Sequence, residues 1–222
     1  MLKDEQIVWA IHQMEDDIGP IGRTLDSRTP FQYLVSVILS AQATDISVNK
    51  VTPELFGKYP EPKDLMKANV LDVEQIIKSV GLFHNKAKNI IKTAQIVHEQ
   101  LNDVVPTTRK GIMALPGAGR KTANVVLSDV FDQPTFAVDT HVSAISKRLH
   151  FVDEKANPLQ VEKKIVSVMK PEELHRAHHT MIEYGRKYSM KLDPSKETNQ
   201  LIIECDQLNS ENDKNNNKNT ND

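Results

Sequence analysis

The chain has 222 residues, 39% of them hydrophobic and 26% charged, with a formal net charge of -2, which allows one large or two smaller globular domains. No segment approaches the ~20 consecutive apolar residues of a membrane helix, and the first 17 residues carry five acidic side chains and no apolar signal core, so we expect a cytoplasmic protein without membrane contact. The single cysteine, Cys205, excludes an internal disulfide and a metal site made of four thiolates from one chain.

Apolar residues recur at helical spacing along most of the chain, which predicts an all-α fold. Phe31 to Leu39 is apolar nearly all round and predicts a buried helix with Pro30 in its first turn. Thr44 or Asp45 can cap the following helix, and Pro53 begins a further short segment. Three more helical stretches are predicted over 72–80, 86–101 and 107–113.

A second unit is predicted after Pro134. One apolar stripe marks its first helix, formed by Val138, Val142, Ile145 and Leu149. Two further helices are predicted over 161–169 and 172–188. Residues 209–222 contain no apolar side chain, so we predict that this tail is disordered.

A basic segment interrupts the otherwise acidic chain. Between Gly81 and Ser128, seven basic residues stand against Glu99 and Asp103. The seven are Lys86, Lys88, Lys92, Arg109, Lys110, Arg120 and Lys121. A positive face on an acidic body is typical of DNA-binding proteins, although such a run can also serve solubility alone.

The most informative segment is Leu115-Pro116-Gly117-Ala118-Gly119-Arg120-Lys121, which lies between two predicted helices. Gly117 and Gly119 allow the backbone to approach a ligand closely, and the N–H groups that open the second helix favour an anion. Such a hairpin can bind DNA phosphates without reading sequence. The alternative is an ordinary tight turn between helices.

Four motifs in order resemble the endonuclease III family of DNA glycosylases. They are residues 39–50 (LSAQATDISVNK), 81–90 (GLFHNKAKNI), 115–126 (LPGAGRKTANVV) and 137–142 (AVDTHV). The third resembles the family's helix-hairpin-helix element, here about 108–131. The resemblance runs from about residue 30 to 186.

The resemblance implies that Lys121 is the nucleophile, which attacks C1′ of a flipped nucleotide and forms a Schiff base. This chemistry needs a neutral amine, which the helix dipole, the adjacent Arg120 and burial in a cleft would all favour. The alternative is an exposed lysine that binds phosphate.

Asp139 directly precedes an apolar helical stripe, at an N-cap position. The resemblance makes it the carboxylate that stabilises positive charge on the sugar, a role compatible with capping. Gln42 would bond to the base left opposite the flipped nucleotide, and Leu82 would insert into the base stack. Leu82 could instead pack onto the core, and His141 could be a DNA contact or only a supporting hydrogen-bond partner.

Family members usually carry four cysteines that hold a [4Fe–4S] cluster, with the spacing C-x6-C-x2-C-x5-C. The lead-in Tyr184-Gly185-Arg186 aligns those positions with Ser189, Lys196, Asn199 and Cys205. One thiolate cannot hold four irons, so we expect no cluster and no other cofactor. Lys191 would keep positive charge where the cluster loop of the family meets DNA.

We therefore expect two helical lobes with a catalytic cleft between them. Residues 23–133 form a helical barrel, and residues 1–22 with 134–208 form the second lobe. The expected enzyme is a monomeric, nucleoid-associated glycosylase and AP lyase that removes oxidised pyrimidines from duplex DNA and cleaves abasic sites by β-elimination. The alternatives are an adenine-mismatch glycosylase, which usually lacks the lysine nucleophile, and a DNA-binding module without catalysis.

Overall fold

The structure is a computed structural model that describes residues 1–22, 24–188 and 199–219. All regular secondary structure within these ranges is helical, as the sequence predicts. No helix among these residues combines the length and the apolar character that crossing a membrane requires. The chain divides into two compact units, residues 23–133 and residues 1–22 with 134–222.

Twelve α-helices lie in the described ranges. In chain order they are α1 (Asp4–Ile18), α2 (Pro30–Ser40), α3 (Asp45–Lys58), α4 (Pro62–Leu65), α5 (Val70–Ile77), α6 (Phe83–Leu101), α7 (Arg109–Met113), α8 (Arg120–Phe131), α9 (Thr140–Arg148), α10 (Pro158–Val168), α11 (Leu174–Lys187) and α12 (Gln200–Asn219). A 3₁₀ turn, Pro171–Glu173, precedes α11.

The central unit, residues 23–133, is built around α2. Residues 31–39 of this helix are all buried, as its apolar sequence predicts, and α3, α6 and α8 pack against it. Thr29 caps its start by accepting a hydrogen bond from the Gln32 N–H at 3.2 Å. The central helix therefore fixes the positions of the elements around it.

The structure corrects the helix boundary expected at Pro53. Thr44 caps α3 as predicted, but the helix continues through Pro53 to Lys58. Proline removes one backbone hydrogen bond, yet Val51 and Leu55 are buried on either side of it. Packing of these apolar side chains outweighs the lost bond.

The terminal unit, residues 1–22 with 134–222, combines α1 with α9 to α12. α1 packs on α10, α11 and α12, and α9 packs on α10 and α11. Its core contains large apolar side chains that are fully buried, among them Phe136, Phe151 and Met14. The predicted helix over 172–188 is divided into the 3₁₀ turn and α11.

The predicted disorder of residues 209–222 is wrong up to Asn219, where α12 ends. Leu201, Ile202 and Cys205 are buried and anchor the start of this helix, and extending an existing helix costs less free energy per residue than forming its first turn. Asn212 is also buried, and its amide donates to the Met1 carbonyl at 3.2 Å and to Gln6 Oε1 at 2.8 Å. The polar tail is thus held through hydrogen bonds that composition alone does not indicate.

A second attachment of α12 lies one turn beyond Ile202. Both terminal nitrogens of Arg148 donate to the carboxylate of Asp206, at 2.8 and 3.1 Å, and His150 Nε2 lies 2.8 Å from the same carboxylate. Burial disfavours the charge of Asp206, but the hydrogen bonds from Arg148 and His150 outweigh it and hold the pKa of this carboxyl below its ordinary value. The side chain is therefore an anion that links α12 to the end of α9.

Candidate functional site

The predicted hairpin joins α7 to α8 in the central unit. Gly117 has a φ of +80°, and a Cβ added to it would lie 3.0 Å from both Asn89 Nδ2 and Ile38 Cγ2. Thr93 Oγ1 donates to the Pro116 carbonyl at 3.1 Å and ties the turn to α6. Glycine at position 117 avoids both the strain of the positive φ and the tight contacts that a Cβ would make.

The start of α8 provides a candidate anion site. Its N-cap, Gly119, is extended and exposed, and it has no side chain to accept hydrogen bonds from the first turn. The N–H groups of that turn lie at the positive end of the helix dipole, where an anion is favoured. The arrangement suits a phosphate, and phosphate binding at this hairpin stays a prediction.

Lys121 lies in this first turn and is exposed, whereas Arg120 is half-buried. The exposure corrects the expectation that burial within the chain favours a neutral amine at Lys121. The side chain leaves α8 on the solvent side, next to the open hairpin, so the unit alone does not desolvate it. The helix terminus and the neighbouring Arg120 remain in place as predicted.

The basic segment is less uniform than its sequence indicates. Four of its side chains are exposed, namely Lys88, Lys92, Lys110 and Lys121. Arg109 is half-buried and donates from Nε to Asn124 Oδ1 at 2.8 Å, which links α7 to α8. Lys86, predicted to be part of a basic surface, is buried with 4% of its area exposed. Lys86 shares a helical stripe with Ile90 and Val97, and this stripe faces the core.

Gln42 and Leu82, the two residues predicted to enter the DNA, share an unusual backbone. Both have positive φ angles, 54° and 60°, in the left-handed region that non-glycine residues rarely adopt. The two turns are neighbours, since a Cβ on Gly81 would lie 3.5 Å from the Gln42 carbonyl oxygen. Leu82 is 58% exposed, so it does not pack onto the core. Gln42, in the turn after α2, is also exposed.

Asp139 occupies the predicted N-cap of α9 in the terminal unit. Its Oδ1 accepts a hydrogen bond from the Val142 N–H at 2.8 Å, and the residue is half-buried. His141 packs against Gly185 of α11, where an added Cβ would lie 2.9 Å from His141 Cβ. His141 Nδ1 is buried and has no hydrogen-bond partner within the described part of the chain.

The two described cluster positions do not fit an iron–sulfur cluster. Asn199 uses its Oδ1 to accept from the Ile202 N–H at 2.9 Å and its Nδ2 to donate to the Tyr184 hydroxyl. Cys205 is fully buried in the apolar core, and burial, with smaller contributions from Asp206 and Glu204, raises the pKa of its thiol to about 12. A [4Fe–4S] cluster is held by four thiolates, and these two positions supply one amide and one thiol. Ser189, Lys191 and Lys196 lie outside the described residues.

A groove of about 480 Å³ lies between α1 and α12 in the terminal unit. Trp9 and Leu208 line it together with three glutamates, Glu5, Glu204 and Glu211. These carboxylates would repel a phosphate backbone, so the groove is unsuited to DNA.

The chain matches known proteins along most of its length. Residues 35–171 match the family described as HhH-GPD superfamily base excision DNA repair protein. Endonuclease III of Bacillus subtilis (strain 168) is 41% identical over 194 residues, which cover 87% of this chain and 89% of that protein.

Solved structures give the same relationship. A non-covalent endonuclease III–DNA complex has a TM-score of 0.88 and 40% identity, covering 95% of this chain and 99% of the other. A trapped endonuclease III–DNA covalent intermediate, an estranged-adenine complex, has a TM-score of 0.82 and 43% identity, covering 85% and 89%. The chain therefore belongs to the HhH-GPD superfamily of base excision DNA repair proteins and, within it, to the endonuclease III family of DNA glycosylases and AP lyases.

Proposed function

We propose that the chain removes oxidised or ring-saturated pyrimidines from duplex DNA and then cleaves the strand 3′ to the abasic site, with Lys121 as the nucleophile. The observation that carries the proposal is the exposed Lys121 in the first turn of α8, directly after the glycine hairpin. An amine beside a phosphate-binding turn can reach the sugar whose phosphate the turn holds.

Lys121 attacks C1′ of the flipped nucleotide. The nitrogen–carbon bond forms while the bond from C1′ to the base breaks, and the base leaves with the electron pair and takes up a proton. Loss of a proton from the amine and opening of the sugar ring give a Schiff base. Removal of a proton from C2′ then expels the 3′ phosphate by β-elimination. Binding of DNA excludes water from Lys121 and supplies the desolvation that the free unit lacks.

Asp139 is the proposed partner carboxylate. It stabilises positive charge that develops on the sugar and accepts or returns protons during these steps. Its hydrogen bond from the Val142 N–H fixes the orientation of the carboxylate and leaves lone pairs for substrate. Capping α9 and assisting catalysis are thus compatible roles for one side chain.

DNA binding is proposed to use three features of the chain. The hairpin at Gly117 and Gly119, with Arg120, holds phosphate, while Gln42 and Leu82 fill the gap left by the flipped nucleotide. The left-handed backbone at both gap-filling residues supports this role, because strained residues of this kind cluster at ligand-binding sites. His141 and Lys191 are proposed as further DNA contacts.

The pyrimidine assignment rests on family membership and on base pairing. A related covalent complex contains an estranged adenine, and adenine pairs with thymine, so a pyrimidine-derived lesion is the matching substrate class. The chemistry needs no metal at Lys121 or Asp139. We also propose that this chain works without a cluster, because Asn199 and Cys205 are unsuited to ligate iron.

Borohydride trapping on a duplex with a single abasic site tests the nucleophile. Reduction of the Schiff base should join wild-type protein covalently to DNA, and Lys121→Gln should abolish the adduct. The matched control is Lys67→Gln, an exposed lysine of the central unit outside the basic segment, which should trap as wild type does.

The same experiment separates the rival functions. Wild-type protein that binds the duplex but yields no adduct would identify a binding module without lyase chemistry. An adduct that persists in Lys121→Gln would assign the nucleophile to another amine. Base release without an adduct, with preference for adenine in a mismatch, would indicate the adenine-mismatch class.

A further inference from the structure

A cavity of about 130 Å³ lies where three segments of the central unit meet. Gln42 comes from the turn after α2, Leu82 and Lys86 from the start of α6, and Gly117 from the hairpin. These are the segments that the proposed function assigns to the DNA gap and the phosphate. The cavity therefore lies within reach of the same stretch of DNA.

Lys86 gives this cavity an unusual lining. The residue is 4% exposed, its Nζ is buried, and no described residue supplies a hydrogen-bond acceptor to that nitrogen. A lysine ammonium carries three donors, and leaving them unpaired in an apolar setting is costly. Burial accordingly lowers the pKa of Lys86.

The surroundings of Lys86 argue against a purely structural role. Lysines that support a fold extend the amine to water or pair with a carboxylate, and this amine does neither among the described residues. Its neighbours along the cavity include the amide residues Asn85 and Asn89 and the exposed Leu82. A polar group left unsatisfied beside a cavity is typical of a site that a ligand completes.

We infer that the cavity is a subsite for a hydrogen-bond acceptor of DNA and that Lys86 Nζ is its donor. The inference rests on the proposed function, since it assumes that Gln42 and Leu82 enter the DNA nearby. Two groups share this chemistry: an acceptor on the edge of the base opposite the flipped nucleotide, and a phosphate oxygen. In this arrangement Lys86 contacts DNA although its side chain is buried in the central unit.

Lys86→Met tests the inference, because methionine fills a similar volume without charge or donors. Removal of an unpaired buried amine should leave the unfolding midpoint unchanged or raise it. Affinity for a duplex with a reduced abasic-site analogue should fall about tenfold to a hundredfold, the size expected for one charge-assisted hydrogen bond. Lys67→Met removes an exposed charge from the same unit and should change affinity little.

Two arms of the binding experiment distinguish the acceptors. If the acceptor is a base, the loss in Lys86→Met should disappear when the opposite nucleotide is also abasic. If the acceptor is a phosphate, the loss should persist, and the slope of log affinity against log salt should decrease by about one.

Two results would overturn the inference. One is unchanged affinity in both arms with a folded Lys86→Met protein. The other is marked destabilisation of both Lys86→Met and Lys86→Arg, which would identify a structural lysine. Borohydride trapping by wild-type protein keeps the two proposals apart. Wild-type protein that fails to trap contradicts the proposed function, whereas wild-type protein that traps while Lys86→Met binds DNA as tightly as wild type contradicts only the inference.

Discussion

Replacement of Leu82 by glycine and by alanine should reverse the usual stability order of these two residues. Leu82 precedes α6 with φ 60° and ψ 30°, in the left-handed region. In most contexts alanine is the more stabilising of the two, because glycine loses more backbone entropy on folding. At a left-handed position the Cβ of alanine clashes with the backbone, which makes glycine the more stabilising of the two.

The magnitudes follow from the conformation and exposure of Leu82. The left-handed backbone costs a non-glycine residue roughly 1–2 kcal/mol, and glycine removes this cost. Glycine also lowers stability by about 0.4–1 kcal/mol, because it raises the conformational entropy of the unfolded chain. Leu82 is 58% exposed, so either truncation loses only about 1 kcal/mol of apolar burial. Leu82→Gly should therefore match wild type within about 1 kcal/mol, and Leu82→Ala should be about 1 kcal/mol less stable than wild type.

Urea unfolding of the three proteins measures this order, and turnover of a lesion-containing duplex measures function. Both variants should lose activity to a similar extent, because both remove the side chain proposed to enter the base stack. A Leu82→Ala protein more stable than Leu82→Gly would refute the left-handed assignment. Full turnover by Leu82→Gly would refute insertion of the side chain into DNA.

Three further predictions concern the terminal unit. Asp206→Asn should lower stability by about 1 kcal/mol at neutral pH, because half-exposed charged hydrogen bonds to Arg148 and His150 are weakened. The pKa of Asp206 is held below its ordinary value, so this contribution is fully present above the unfolded pKa of about 4 and is lost as pH falls through the lower folded value. In urea titrations the stabilities of wild type and variant should therefore start to approach each other below about pH 4 and converge only below the folded pKa. Cys205 should resist an aromatic disulfide reagent at pH 8 in folded protein and react fully in denaturant, since its thiol is buried and its pKa is raised to about 12. Rapid reaction without denaturant would contradict the packing of α12. Iron analysis of purified protein should find less than one iron per chain, and about four would refute the absence of a cluster.

Much of the fold could be predicted because local chemistry and packing agree. The apolar run of α2 is stable only when it is buried, and Thr44 marks a helix start through its side-chain cap. The hairpin and the N-cap at Asp139 were predictable for the same reason. In each case the residues that specify the feature lie within a few positions of it.

The prediction is wrong mainly where contacts between residues distant in the sequence determine the local structure. The tail after residue 208 has no apolar side chain, but Asn212 bonds to Met1 and Gln6 at the other end of the chain. Pro53 continues α3 because of packing on both sides of it. Lys86 shares one helical face with Ile90 and Val97, which indicates burial, but its position among other lysines favours the prediction of a basic surface.

Three destabilising features of the free chain lie around one cavity of the central unit. Gln42 and Leu82 have strained backbones, and Lys86 has a buried amine for which the described residues supply no acceptor. Each of these features costs free energy on folding. Destabilising residues are typical of ligand-binding sites, because binding of the ligand stabilises the folded state and offsets their cost. Under the proposed function, DNA opened at a flipped nucleotide supplies a gap for the exposed side chain of Leu82 and a hydrogen-bond acceptor for the buried nitrogen of Lys86. Stability and binding should therefore oppose each other at these positions, and variants that relax Leu82 or Lys86 should retain or gain folding free energy while they lose affinity for DNA.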